Sequence, residues 1–224
     1  MATPLGDRSV PAERRRGGAA EGLGALGLPE GPVSGALEVA DERLPEAVEA
    51  VLFDAAQIAG AVRRLAGAIA ADTPGEAIHL VGVLKGAIFL MADVARALPP
   101  SLEVSVDYLG VSSYGTRNRS SGEVRFVKDV TETIEGRHVV IVEDIVDGGQ
   151  TLDAVHRQLA RRGPASLRTC VLLDKPYRRL VDVRIDYKGL MAPDAFIVGY
   201  GLDYQEKYRN LPYLARLHDW AFQG

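Results

Sequence analysis

Val139-Val140-Ile141-Val142-Glu143-Asp144-Ile145-Val146-Asp147-Gly148-Gly149-Gln150-Thr151 is the stretch from which the fold is read. An apolar run with the composition of a buried strand meets two adjacent acids where the strand is expected to end. A third acid, two glycines and a threonine that opens a helix follow. This order suits a phosphorylated sugar, because ligands of open α/β sheets bind beyond the carboxyl ends of the strands. Gly148 and Gly149 let the backbone approach a phosphate and offer N–H groups to it. The helix expected near Thr151 adds its positive end, and the threonine hydroxyl adds a donor. Glu143 and Asp144 are suited to ribose hydroxyls or to hydrated magnesium, a hard cation that prefers oxygen ligands. Three acids around a double glycine exceed what capping an ordinary strand–turn–helix requires.

The flanking sequence alternates helix and strand patterns. Ile58, Val62, Leu65 and Ile69 share one face of a helix over residues 53–71, and Asp72-Thr73-Pro74-Gly75 ends it. Residues 78–83 read as a buried strand, and 87–98 as an apolar helix stopped by Pro99-Pro100. Residues 102–109 alternate, with Leu102, Val104, Val106 and Tyr108 on one side. Residues 110–122 are polar and read as a mobile loop, followed by a strand at 124–127. Residues 151–162 form a helix closed by Gly163-Pro164, and further strands fall at 167–173 and 196–198. Strands separated by helices require right-handed crossovers. The expected fold is therefore α/β, a mostly parallel twisted sheet with helices on both faces.

The 224 residues fit one domain, residues 41–224, and an extension. Residues 1–40 are rich in Gly, Ala, Pro and Arg, with Arg14-Arg15-Arg16 in the middle. They hold few large apolar groups to offset the entropy of ordering, so a disordered tail is expected. A formal charge of −4 and a pI near 5.6 argue against a nucleic-acid partner. Cys170, the sole cysteine, stands in an apolar run and reads as a small buried hydrophobe. His79, His138, His156 and His218 lack ligand spacing, so no zinc site is expected. Arg178 and Arg179 read as solvated charges. No apolar stretch has the length of a bilayer span, and the N-terminus lacks the core of a secretory signal, so a cytoplasmic protein without a membrane partner is expected.

The Glu143–Thr151 segment resembles the phosphoribosyl-pyrophosphate motif of the type I phosphoribosyltransferases, and the resemblance runs from about residue 51 to 217. Leu84-Lys85-Gly86 is similar to the family's pyrophosphate loop, with a cis peptide implied between Leu84 and Lys85. Ser112-Ser113-Tyr114-Gly115 is similar to its catalytic lid. Leu173-Asp174-Lys175-Pro176 resembles the purine-reading segment of the hypoxanthine-guanine branch. The run from Phe196 to Tyr204, with Arg209-Asn210-Leu211-Pro212-Tyr213, resembles that branch's base-stacking and metal segment.

The resemblance implies a small hood, a flexible lid carrying Ser113 and Tyr114, and a homodimer or homotetramer. It implies transfer of 5-phosphoribosyl from phosphoribosyl pyrophosphate to N9 of hypoxanthine or guanine, giving IMP or GMP and pyrophosphate, with Mg2+. Asp147 becomes the general base. Leu84, Lys85, Gly86, Glu143, Asp144, Gly148, Gly149, Gln150, Thr151 and Arg209 would bind phosphoribosyl pyrophosphate. Lys175, Phe196, Ile197 and Asp203 would meet the purine side. Glu143, Asp144 and Asp203 would hold metal. The family usually has Ser or Thr where this chain has Gly148, so a backbone N–H is expected to serve the phosphate there. Two alternatives remain open: a non-catalytic sensor of the same fold, and an enzyme acting on another base such as xanthine. The tail has no helical apolar period and the charge is acidic, which speaks against a regulator. Deleting residues 1–40 is expected to leave melting temperature and turnover nearly unchanged; a large loss of either in the truncated protein would show that the tail packs on the domain or on a neighbour.

Overall fold

The computed structural model describes residues 44–73, 75, 77–113 and 124–222. The expected tail, residues 1–40, and the lid residue Tyr114 lie outside these. Strand β1 (Val48–Phe53) leads into helix α1 (Ala55–Asp72). Asp54 opens that helix with a capping box: its carboxylate accepts the Gln57 N–H at 2.7 Å, and the Gln57 side chain accepts the Asp54 N–H at 2.9 Å. The face carrying Ile58, Val62, Leu65 and Ile69 is buried, as their spacing predicts. The Thr73 hydroxyl donates back to the Ile69 carbonyl, and Pro74 follows.

The main sheet runs through β2 (Ala77–Leu84), β3 (Glu103–Ser113), β4 (Val124–Lys128), β5 (His138–Val146), β6 (Ser166–Asp174) and β7 (Tyr187–Met191). Its order is β4-β3-β2-β5-β6-β7, parallel except for β4 against β3. Helix α2 (Ile88–Ala97) links β2 to β3, and α3 (Gln150–Ala160) links β5 to β6. Successive strand residues face opposite sides. Leu80, Val140, Val142 and Leu172 pack with α1 and α2, while Val81, Val83, Ile141 and Val171 pack with α3. The two crossovers thus leave β2 and β5 in opposite directions on opposite faces. The carboxyl ends of these adjacent strands form the topological switch point at which such sheets bind ligands. A second sheet, antiparallel and ordered β1-β9-β8, pairs β9 (Leu214–Leu217) with β1 on one side and with β8 (Ile197–Val198) on the other. It is the hood.

Several expectations shift. β5 runs to Val146, so Glu143 and Asp144 lie within the strand, with Glu143 in register with Val171 of β6. β3 runs through Ser113, so the first part of the expected loop is strand, with Ser112 opposite Arg125 of β4. Edge pairing needs backbone groups rather than apolar side chains. Val106, on the apolar side of that alternation, is half exposed, whereas Asp107 and Leu109 on the other face are buried. Asp107 is tolerated there because its carboxylate accepts the N–H groups of Thr131 and Glu132, which, with that of Tyr108, hold it below the usual range against the cost of burial. α3 starts at Gln150, one residue before Thr151. Cys170 is buried in the core, its thiol pushed up to about 12 by desolvation. Among the described residues, no helix is long and apolar enough to cross a membrane.

Candidate active site

The turn from β5 into α3 is made by Gly149, whose φ of 91° is left-handed, and no side chain caps the helix. The first bond of that turn runs from the Asp153 N–H to the Gly149 carbonyl at 2.9 Å. Preceding N–H groups, of Gln150, Thr151 and Leu152, are left at the helix head as a site for an anion. The turn is held from outside. The N–H groups of Leu180 and Val181 both donate to the Gly148 carbonyl, at 2.9 and 3.1 Å. Arg179 donates to the Asp147 carbonyl at 3.0 Å and pairs with buried Asp174. Arg179 is therefore no solvated charge: its side chain is 19% exposed and braces the turn. A Cβ on Gly149 would lie 2.8 Å from the Val181 carbonyl oxygen, so that face of the turn is closed. A Cβ on Gly148 would instead meet the Gln150 carboxamide at 2.3 Å, the movable end of a side chain. Gln150 thus fills the space left by the missing side chain at position 148.

The second loop follows β2. The Leu84–Lys85 peptide is cis, as the resemblance implies. A Cβ on Gly86 would fall 1.8 Å from Asp144 Oδ2, and one on Gly201 would fall 2.0 Å from the Gly86 carbonyl. Three segments therefore converge with no room for a methyl group: the Lys85 loop, the end of β5 and the turn after β8. Tyr200 lies within that last turn at φ 46°, and its hydroxyl donates to Asp93 of α2 at 2.5 Å.

Glu143 and Asp144 are buried and share a hydrogen bond. Burial and the neighbouring acid hold the Glu143 carboxyl well above the usual range, and burial also raises Asp144. Glu143 Oε2 is buried without a hydrogen-bond partner. Among the described residues, no three His, Cys, Asp or Glu side chains gather around one point.

A cavity of about 510 Å³ opens beside these groups. It is lined by Asp144, Asp147, Lys175, Phe196, Ile197 and Asp203, six of the residues expected at the site. Lys175 is buried, donates to the Ala195 carbonyl at 2.7 Å, and stands 3.7 Å from Asp147 Oδ2. Desolvation lowers its ammonium below the usual lysine range, although Asp147 acts to raise it. Phe196 stands just before β8, with Tyr204 edge-on at 5.5 Å and Phe222 stacked at 4.8 Å between ring centroids. Glu143, the Leu84–Gly86 loop, Gly148, Gly149, Gln150, Thr151 and Arg209 lie outside this lining. Arg209 nevertheless reaches Asp203 at 2.8 Å. Ser113 ends β3. Arg178, read as a solvated charge, also lines the cavity, as do residues that sequence reading did not single out, among them Ile145, Asp194, Arg216 and Phe222. Of these, only Ile145 stood inside a recognised motif.

A buried cation with a nearby carboxylate and an aromatic ring thus border one cleft, and the helix head follows Asp147 of its wall. This arrangement suits a phosphorylated sugar beside a flat polar ring. The model of the phosphoribosyl transferase domain matches residues 50–205. The chain is 44% identical over 188 residues to the hypoxanthine-guanine phosphoribosyltransferase of Mycobacterium avium, covering 81% of this chain and 92% of that one. It is 42% identical to the Bacillus subtilis enzyme of the same name, covering 79% and 97%. Among solved structures, hypoxanthine phosphoribosyltransferase from Staphylococcus aureus superposes with a TM-score of 0.75 at 38% identity, covering 80% and 96%. The Trypanosoma cruzi enzyme in complex with its product IMP gives 0.74 at 40%, covering 80% and 100%.

The two glycines of the turn should respond differently to alanine. Gly149→Ala forces a side chain into left-handed backbone, at ~1–2 kcal/mol before the Val181 contact is counted. A fall in melting temperature of roughly 2–8 °C is expected for a chain of this size. Gly148→Ala needs only a rotation of Gln150 and should melt within a degree or two of the parent. Thermal melts of both variants check this, and equal losses would mean that the Gln150 side chain is fixed by something other than the empty space.

Proposed function

We propose a reaction for this site from the premise that the chain belongs to the phosphoribosyl transferase family, in the branch of its hypoxanthine-guanine enzymes of purine salvage. The chain transfers 5-phosphoribosyl from phosphoribosyl pyrophosphate to N9 of hypoxanthine or guanine, releasing pyrophosphate with IMP or GMP. The observation that carries this reading is the meeting of Asp147 and Lys175 at 3.7 Å in the cavity that Phe196 lines.

Each part of the substrate has a counterpart. The 5′-phosphate meets the N–H groups of Gly148, Gly149, Gln150 and Thr151, with the Thr151 hydroxyl beside them. The ribose hydroxyls fall to Glu143 and Asp144. Pyrophosphate oxygens fall to the Lys85 loop and to Arg209, whose fork meets oxyanions in pairs. The base enters between the Phe196 ring and the strand end, with Ile197 offering backbone groups. Lys175 donates to its O6. Adenine carries an amino donor at that position and would set it against an ammonium hydrogen left without an acceptor, at ~1–3 kcal/mol.

The acid set fits a divalent oxygen-seeking cation. Glu143 Oε2 is buried without a partner, and the donors available are carboxylate oxygens. Magnesium is commonly held by one or two carboxylates together with water and substrate phosphates. Glu143 and Asp144 would hold one such ion and Asp203 a second beside pyrophosphate, and when bound they would supply charge neutralisation at the departing group. The residues do the rest. Lys85 and Arg209 hold the leaving group as the C1–O bond loosens toward an oxocarbenium-like sugar. Asp147 accepts the purine proton near N7 as N9 attacks the opposite face. The reading includes a cytoplasmic homodimer or homotetramer, supported by exposed Ile88 and Phe89 beside the Lys85 loop.

Asp147→Asn keeps the size of the side chain but removes its basicity. Turnover should fall by ~10²–10⁴-fold. The dissociation constant for phosphoribosyl pyrophosphate should change far less, because neutral N–H groups hold the phosphate. Steady-state kinetics and direct binding on the same preparation separate the two effects. Near-normal turnover would remove Asp147 from the chemistry, and lost binding would make it part of the phosphate loop.

A further inference from the structure

Glu206 lies across the two cations that the preceding reading assigns to pyrophosphate. Its Oε2 pairs with Lys85 Nζ at 2.9 Å, 121 residues away in sequence, and both its oxygens lie 3.4 Å from Arg209 Nη2. Among the described residues, Lys85 forms no other ion pair. The guanidinium of Arg209 has its remaining contacts with the Gly201 carbonyl at 2.7 Å and with Asp203, and its Nε is buried without a partner. An ammonium and a guanidinium converging on one point repel unless an anion lies between them, and Glu206 is that anion here.

The backbone holds the acid in this position. Gln205, Glu206 and Tyr208 all have left-handed φ angles, of 52°, 63° and 74°, uncommon for residues with side chains. Tyr204 and Lys207 close the turn with reciprocal backbone bonds of 3.2 and 3.0 Å, and the Glu206 N–H donates to Asp203 Oδ2 at 2.7 Å. Such local strain is retained where the surrounding structure enforces it, often at functional sites. The Lys85 and Glu206 side chains are 65% and 64% exposed, so water can take over their contact and the pair opens readily.

We propose that Glu206 is an internal competitor of the leaving group: its carboxylate occupies Lys85 and Arg209 until pyrophosphate displaces it, and it returns to them when pyrophosphate departs. The proposal rests on the reading that these two cations bind pyrophosphate. Glu206 touches neither substrate in the closed complex and acts through the cations, so it is a positioning residue. Apparent affinity is reduced by the fraction of molecules in which the binding groups are already engaged. For an exposed pair that factor is about 2–10-fold.

The test is titration of inorganic pyrophosphate, with magnesium, into the full chain and into Glu206→Gln, Glu206→Ala and Lys85→Ala, after melts establish that each is folded. Both Glu206 variants should bind pyrophosphate ~2–10-fold tighter and show a lower KM for phosphoribosyl pyrophosphate, with the KM for the base unmoved. The gain should shrink as salt rises, because an exposed pair is screened. Lys85→Ala should bind pyrophosphate more weakly. Unchanged or weaker binding in both Glu206 variants, with Lys85→Ala still impaired, overturns the competitor and leaves the pyrophosphate assignment standing. Unimpaired binding in Lys85→Ala removes that assignment and the competitor with it. A gain that is independent of salt, or that also shifts the base KM, points to rearrangement of the loop and likewise overturns the proposal.

Discussion

The site depends on one backbone carbonyl. Gly148 O receives two N–H groups, from Leu180 and Val181, while Arg179 takes the neighbouring Asp147 carbonyl. These bonds fix the chain as it leaves β5, and Gly149 can then turn left-handed into α3. From that turn the helix head presents its free N–H groups, and Asp147 is delivered to the cavity wall. The same stretch of chain, after β6, carries Lys175, whose N–H bonds the Val146 carbonyl at 2.9 Å. The phosphate loop and the base-reading lysine are thus tied together by backbone bonds between two neighbouring strand ends.

Charge is arranged so that the cations of the free site already have partners. Lys175 has Asp147 and a carbonyl; Lys85 and Arg209 have Glu206 and Asp203. A buried charge left alone would be costly, and these pairings avoid that cost until a ligand arrives. Substrate binding on this account is an exchange of partners. The close packing of Gly86 against Asp144 and of Gly201 against Gly86 couples the loops that take part in it.

The central strands were legible because their residues are apolar on both faces, as in β2, β5 and β6, and the glycine turn because only glycine serves there. Strands β1, β7 and β9 were not. β9 spans Leu214–Leu217, and β1 exposes Val51, so neither carries a clean period. The site residues inside motifs, Asp147, Lys175, Phe196, Ile197 and Asp203, come together in one cavity. Those set by long-range contact stayed invisible: Arg179 reads as a surface charge until the Asp147 carbonyl lies beside it, and Phe222 until the Phe196 ring does. Glu206 is one of several acids near the C-terminus, and only the fold brings it to Lys85.

The central claim is that Lys175, Phe196 and Asp147 make this a site for a 6-oxopurine and an activated phosphoribosyl group. The most direct measurement offers the purified chain magnesium and phosphoribosyl pyrophosphate with hypoxanthine, guanine, xanthine, adenine or uracil in separate reactions, and follows nucleotide formation and pyrophosphate release. Hypoxanthine or guanine should be converted to its 5′-monophosphate with one pyrophosphate released per turnover, and adenine should be poor. Faster turnover of adenine than of both oxopurines, or no turnover of any base by a folded protein that binds phosphoribosyl pyrophosphate, would contradict the account.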